Sequence, residues 1–184
     1  MKNQYISNRK KNSGNAILGV LLSLVITAIL IAVAYNMYTD SQRKARVEAA
    51  TGEISTIIAG TQKLYGNANQ YASVTTDIAV RSGIIPARLR VAGTNTAQNR
   101  YNGNITFQPQ TITSTSDSML VSYTNVLRED CQDIVLSAVP YSRRIAVDST
   151  TVKANDANID ISALAGACDA ADHVALNIVF GRGQ

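Results

Sequence analysis

The strongest constraint on this chain is an apolar run near its N-terminus. No charged residue occurs between Lys11 and Asp40, and residues 16–35 read AILGVLLSLVITAILIAVAY. A helix of this length rises about 30 Å, which matches the hydrocarbon thickness of a bilayer. Because an all-apolar helix of this kind cannot remain in water, the segment must lie in a membrane or inside a protein core.

The basic charge of the chain is concentrated before this run. The chain has 17 basic and 13 acidic residues, a formal net charge of +4, and four of the basic residues lie in residues 1–14, which contain no acid: Lys2, Arg9, Lys10 and Lys11. The remainder is neutral by count, so we expect no nucleic-acid partner. Cations before an apolar helix predict a cytoplasmic N-terminus and export of the residues after the helix.

Three interpretations fit a basic leader followed by an apolar run. A cleaved secretory signal is one, with Ala32-Val33-Ala34 as its cleavage site, although the run is longer than the usual ~7–15 residues. A plain single-pass anchor is the second. The third is a processed anchor that becomes the core of a polymer, and the residues beyond the run favour it.

The helix pattern continues past the apolar run. Residues 36–65 contain no Pro, and Gly66-Asn67 is a stop signal, so we predict one helix over 15–65 with an apolar half, 15–35, and an amphipathic half, 36–65. Gly52 and Gly60 each weaken it by roughly 1 kcal/mol relative to Ala. The predicted stripe that packs on a globular head consists of Val47, Ala50, Ile54, Ile57 or Ile58, and Leu64.

Small residues recur every four positions in the apolar half. Gly19, Ser23 and Thr27 therefore share one helix face, where small side chains let helices approach closely. Any apolar segment of this length also contains a few small residues by chance. The two hydroxyls can bond to carbonyls of their own helix.

The rest of the chain, 66–184, predicts a globular head of α+β class with an antiparallel sheet. Residues 87–103 are polar and predict a loop. We predict short helices between Thr75 and Gly83, at 127–139 and at 159–167, and strands at 104–107, 118–123, 144–147, 150–153 and 173–180.

Two cysteines, Cys131 and Cys168, lie in the head. An even count in an exported domain, with no metal-type partners nearby, favours one disulfide. The alternative is a pair of buried free thiols.

No catalytic motif is present. The lone His173 forms neither a triad nor a metal site, and Asp156, Asn158 and Asp160 lack the Gly and distal Glu of a calcium loop, so we interpret them as turn residues. Two basic pairs, Arg88/Arg90 and Arg143/Arg144, are expected to face solvent or a neighbouring subunit. We predict no enzyme and no catalytic, cofactor or metal site.

The order of these features resembles a type IV pilin precursor of the type IVb branch. Residues 14–21 (GNAILGVL) are similar to the starts of bundle-forming and toxin-coregulated pilins, and residues 35–42 (YNMYTDSQ) and 64–66 (LYG) are similar to later parts of these proteins and of conjugative thin-pilus pilins. The resemblance implies a pilin-like α+β fold, with the long helix packed on the sheet. It also implies a disulfide in the region of Cys131 and Cys168.

The family implies a mechanism as well. A prepilin peptidase would cut after Gly14 in the inner membrane and leave Asn15 as the N-terminus. Pilus assembly machinery would then polymerise the chain with copies of itself into an extracellular pilus of a Gram-negative bacterium. The pilus would serve adhesion, aggregation or conjugative cell contact, and before assembly the head would face the periplasm.

Two positions depart from the family. The fifth residue after the cut, usually Glu, is Gly19, and the first, usually large and apolar, is Asn15. The missing acid removes a pairing device and favours a minor pilin or pseudopilin as one alternative. A secreted or single-anchor binding protein is the other.

Overall fold

The computed structural model of the chain describes residues 13–65 and 71–181, with side chains from residue 17 onward. The chain divides into two compact units, Met1–Arg43 and Lys44–Gln184. All but the last two positions of the predicted leader, residues 1–14, lie outside the described residues.

A single helix, α1, extends over Ser13–Tyr65 and confirms the prediction of one long N-terminal helix. It contains no proline, and its first half consists mainly of Leu, Ile, Val and Ala, none of which breaks a helix. The first unit consists, in its described part, of this helix up to Arg43. None of its side chains from Ile17 to Arg43 is buried.

In the second unit, α1 continues from Lys44 to Tyr65 with one buried face. The face follows the predicted stripe through Ala50, Ile54, Ile57 and Ile58, all at most 4% exposed. The prediction is wrong at Leu64, which is 50% exposed. The buried stripe instead ends at Thr61, one turn after Ile57, and Leu64 lies in the last turn of α1.

Gly60 costs helix stability but permits close packing. A Cβ at this position would lie 3.3 Å from the carbonyl oxygen of Ile84, tighter than most such contacts. The segment around Ile84 therefore lies directly against the helix backbone.

The sheet has five antiparallel strands in the order β1-β2-β5-β3-β4. The strands are β1 (Ile105–Gln110), β2 (Ser118–Leu127), β3 (Arg144–Val147), β4 (Thr150–Lys153) and β5 (His173–Gly181). β3 and β4, which coincide with two of the predicted strands, form a hairpin with Asp148 at φ 51° in its turn. β5 lies at the centre of the sheet, between β2 and β3.

Two strands extend more than one residue past their predicted ends, each for a local reason. β1 continues through Pro109, which an edge strand tolerates because one side of its backbone needs no partner. β2 continues past Tyr123 through an irregularity at Asn125, whose φ is 65°. Because neither a proline nor a bulge is typical of a strand, the sequence prediction placed the ends of both strands too early.

Three short helices complete the head. α2 (Thr76–Arg81) begins where the Thr75 side chain accepts a hydrogen bond from the N–H of Ile78. α3 (Arg128–Ala138) precedes a 3-10 turn that contains Pro140. α4 (Ile161–Asp169) begins two residues later than predicted, because Asp160 caps it, and ends two residues later.

One hydrophobic core joins these elements, so the α+β prediction is confirmed. It contains the buried face of α1 after Lys44, the inward side chains of the sheet and the apolar faces of α2, α3 and α4. The largest fully buried side chains include Tyr71, Tyr123, Phe180 and Ile57. Such a core encloses the distal part of α1 as an integral element of the head.

Candidate functional site

The first candidate site is the apolar part of α1. Every large apolar side chain from Ile17 to Tyr38 is between 50% and 69% exposed. The mean hydropathy of its most apolar window is 3.0, so this helix is long and apolar enough to cross a membrane. Burial of such side chains is worth about 25 cal/mol per Å² of apolar surface, which gives a strong tendency to bind lipid or other helices.

The small-residue face of this segment satisfies its own polar groups. The Ser23 hydroxyl donates to the Val20 carbonyl, and the Thr27 hydroxyl donates to the Ser23 carbonyl, each at 2.8 Å. A Cβ at Gly19 would meet no atom within 4 Å, so its surface is open. The face therefore carries no unsatisfied hydroxyl that would oppose a dry helix contact. Its role in helix packing stays a prediction.

The predicted cleavage site lies at the start of the described helix. Gly14 and Asn15 belong to the first turn of α1, which begins at Ser13. The basic residues that precede it lie outside the described residues. Cleavage between these two positions stays a prediction.

The second candidate site is a cluster of charged groups that fixes the distal half of α1 to α3. In this Asp130 cluster, Arg46 of α1 pairs with Glu129 and donates its Nε–H to Asp130 at 3.2 Å. The Tyr101 hydroxyl donates to the same carboxylate oxygen at 2.9 Å. Burial and the hydrogen bond to Asp130 raise the pKa of Tyr101.

A second buried carboxylate, Glu53, lies on α1 two turns after Arg46. In this Glu53 cluster, Glu53 is 1% exposed and accepts from Nε and Nη2 of Arg100, each at 3.3 Å. Its other oxygen accepts from the Tyr123 hydroxyl at 2.6 Å. Burial first, and then the bond to Glu53, raise the pKa of Tyr123. Both oxygens are thus occupied by structural partners.

Sequence reasoning missed both clusters, although one signal was available. Glu53 lies on the predicted apolar stripe, three residues after Ala50 and four before Ile57. A carboxylate at such a position indicates a buried charge that needs a partner. The partner, Arg100, lies in the stretch predicted to be an irregular loop, where no periodicity points to it.

The two cysteines form a disulfide between α3 and α4. Cys131 and Cys168 are both buried, with their Cα atoms 5.8 Å apart. Cys168 lies in the last turn of α4, within the two residues by which this helix exceeds its predicted end. The bond closes a loop of sequence separation 37, which corresponds to roughly 4 kcal/mol of stabilisation in the chain-entropy account.

The expectation that Arg143 faces solvent or a neighbouring subunit is wrong. Its side chain is 12% exposed and pairs with Asp117 at 3.2 Å and Asp156 at 3.1 Å. It also donates to the hydroxyls of Ser118 and Thr113. The guanidinium therefore joins the start of β2 to two loops, a role that only the tertiary structure reveals.

Asp117 fixes the loop before β2. Its carboxylate accepts the backbone N–H groups of Ile112, Thr113 and Ser114 at 2.8–3.1 Å. Burial alone would raise the pKa of Asp117, but these donors, with a bond to Ser118, outweigh burial and hold the pKa below its usual range. The group is a structural anchor of the loop.

The remaining polar candidates have structural roles. His173 is exposed, with Nδ1 3.4 Å from the carbonyl oxygen of Asn125. Asp160 caps α4 through the N–H of Ala163, and Asp156 pairs with Arg143, as expected of turn residues. Among residues 13–65 and 71–181, no group of three or more His, Cys, Asp or Glu side chains is placed to hold a metal ion.

The fold and these sites agree with comparisons to known proteins. The family model described as PilS N terminal matches residues 44–180, about three quarters of the chain. The chain therefore belongs to the PilS N-terminal family. No curated protein matched it.

Two solved structures share the fold. A type IVb pilin from Salmonella typhi superimposes with a TM-score of 0.58 at 17% identity, covering 74% of this chain and 99% of that one. TcpA, a type IV pilin from Vibrio cholerae El Tor biotype, gives a TM-score of 0.53 at 9% identity, covering 73% and 98%. The resemblance to type IVb pilins is thus confirmed, and the fold and the family together support a type IV pilin subunit.

Proposed function

We propose that this chain is the precursor of a pilin that polymerises with itself into a type IVb pilus for adhesion, aggregation or conjugative cell contact. The observation that carries the proposal is the continuity of α1. One helix contains an apolar segment whose large side chains are at least half exposed and a distal half that belongs to the core of a pilin head. Such a segment can exchange lipid contacts for helix contacts in a filament while the head stays folded.

Processing after Gly14 by a prepilin peptidase belongs to this proposal. The four cations of the leader would oppose the helix dipole and could not be buried in an apolar filament core. Without the leader, the chain is neutral by count. The precursor would be held in the inner membrane with its head in the periplasm, and the assembly machinery would extract it from there.

The N-terminus of the chain purified from cells tests the processing step. Mass spectrometry of the intact chain is expected to give a start at Asn15. A start at Tyr35 or Asn36 would show a secreted protein, and retention of Met1 would show a simple anchor. Either result would contradict the proposal.

The helix face through Gly19, Ser23 and Thr27 is proposed to pack against neighbouring helices in the filament core. Gly19→Leu is expected to reduce the number of filaments seen by electron microscopy, because the larger side chain separates the helices. Ala28→Leu is the matched control, since position 28 lies on the opposite side of the helix, nine residues on. Equal loss with both variants would contradict a specific role for this face.

A minor subunit is the second candidate, and Gly19 is the observation that favours it. This position lacks the acid that the family usually has there. Quantitative mass spectrometry of purified filaments separates the candidates, since a major subunit forms most of the mass and a minor one only a trace. Gly19→Glu tests the departure itself, and improved assembly would indicate that the charge pair is missing machinery.

A further inference from the structure

A polar cleft in the second unit carries an excess of positive charge. It has a volume of about 400 Å³ and is lined by Arg88, Arg90 and Arg100 together with one carboxylate, Glu53. By count of these four side chains its charge is +2.

The carboxylate of Glu53 does not neutralise Arg88 and Arg90. Glu53 is buried and already bonds to Arg100 and Tyr123. Within the described parts of the chain, Arg88 makes no ion pair. Arg90 donates its Nε–H to the carbonyl of Ile85 at 2.8 Å, which fixes the side chain and leaves its two terminal nitrogens for a ligand.

Arg100 is held in place and retains free donors. It donates from Nε and Nη2 to Glu53 and from Nη1 to the carbonyl of Arg46. A guanidinium has five N–H groups, so one on each terminal nitrogen remains. A side chain fixed in this way loses little entropy when it binds an anion.

The walls of the cleft are fixed by hydrogen bonds to backbone groups. The Asn99 side-chain oxygen accepts the N–H groups of Tyr101 and Gly103 at 2.9 Å, and its amide donates to the Thr124 carbonyl at 2.7 Å. The N–H of Gln98 donates to the Leu89 carbonyl at 2.8 Å and joins the two wall segments. The site is therefore formed before any ligand binds.

A close backbone approach makes this loop depend on glycine. A Cβ at Gly103 would lie 1.9 Å from the Thr124 carbonyl oxygen, a distance that no other residue permits. Asn102 beside it has a φ of 57° and lines the cleft. The loop is thus held in one conformation.

We propose that this cleft binds a carboxylate-bearing sugar, such as a uronic acid or a sialic acid. Guanidinium groups pair with carboxylates in bidentate geometry. The side-chain amides of Gln98 and Asn102, which also line the cleft, can pair with hydroxyl groups. The volume suits a small polar ligand, since ligand sites begin at about 300 Å³.

The inference relies on the proposed function only for the position of the head outside the cell. Binding by the isolated chain requires no filament, so the two can fail separately. The experiment therefore uses the full chain in nonionic detergent micelles and follows ligand titrations by NMR.

Four probes distinguish the possible ligands. Glucuronic acid is expected to bind at least about tenfold more tightly than glucose, which has a hydroxymethyl group in place of the carboxylate. Inorganic phosphate and a hexaglutamate peptide test the alternatives. Phosphate binding as tight as glucuronate binding would show a simple anion site, and tighter peptide binding would show a protein partner. Each of these outcomes would overturn the proposal.

Variants locate the binding. Arg88→Glu is expected to weaken glucuronate binding by roughly tenfold, and Arg88→Gln by less. Arg128→Glu is the matched control, because Arg128 is an exposed arginine of the head that does not line the cleft. Unchanged binding with both Arg88 variants, or equal loss with Arg128→Glu, would overturn the assignment.

Discussion

The two halves of α1 have the same backbone conformation and opposite surroundings. From Ile17 to Tyr38 the large apolar side chains are at least half exposed, whereas Ile54, Ile57 and Ile58 are at most 4% exposed. The first half is apolar on all sides, and the second contains the buried Glu53. Helix formation alone therefore does not determine what a helix does, because the first half still requires a partner and the second already has one.

The difference also separates two sources of stability. The distal half is stabilised by the core, the Glu53 and Asp130 clusters and a head that contains a disulfide. The apolar half depends on lipid or neighbouring helices. Substitutions in one half are therefore expected to leave the other nearly unchanged, and variants in each half test this separation.

Removal of the disulfide is expected to have the largest effect. Cys131→Ala with Cys168→Ala should lower the free energy of unfolding of the head by about 4 kcal/mol, because the unfolded chain gains freedom. Denaturant titration in micelles measures this, and hydrogen exchange is expected to show lost protection after Lys44 but not in residues 17–43. Equal loss in both halves would contradict the comparison. Reduction of the unmodified chain is the control.

Truncation of a core side chain is expected to have the second-largest effect on stability. Ile57→Ala should cost about 3 kcal/mol of head stability, because it leaves a cavity in a fully buried region. Ile29→Ala makes the same chemical change at a side chain that is 58% exposed, and is expected to leave head stability unchanged. Comparable losses would show that the apolar half is part of the head core.

Glu53→Gln should lower the free energy of unfolding of the head by about 2 kcal/mol. The variant removes the negative charge that pairs with Arg100 but retains an acceptor for the Tyr123 hydroxyl. Glu48→Gln on the exposed side of the same helix is the control and should change stability by less than about 0.5 kcal/mol. Thermal unfolding followed by circular dichroism distinguishes them. A cost for Glu53→Gln no larger than the control's would show that the cluster does not fix the helix.

Lowering the pH is expected to have the smallest effect, because protonation of Asp117 should lower the stability of the head by about 1 kcal/mol. Hydrogen bonds that outweigh burial lower its pKa, so its contribution is complete above the unfolded value near pH 4 and is lost as pH falls further. Asp117→Asn should flatten this part of the stability curve. The apolar half has no carboxyl group before Asp40 and should be insensitive. An unchanged acid dependence in Asp117→Asn would contradict this role.

Much of the fold was predictable because it rests on local patterns. The strands β3 and β4, the short helix that begins after Thr75 and the extent of α1 follow from periodicity and turn residues. The errors occurred where distant residues decide the outcome. Arg143 was expected to face solvent or a neighbouring subunit, but its partners Asp117 and Asp156 are 26 and 13 residues away along the chain.

The site divides in the same way. The apolar segment and its basic leader are visible in the sequence, because exclusion of twenty apolar residues from water needs no knowledge of the fold. The Asp130 cluster, the Glu53 cluster and the arginine-lined cleft needed the tertiary structure, because they join residues 46–53 of α1 to residues 88–130. The sequence by itself determined that the chain has a helix that must leave water. Only the tertiary structure decided which charges are buried, because each buried charge needs a partner that is distant in the sequence.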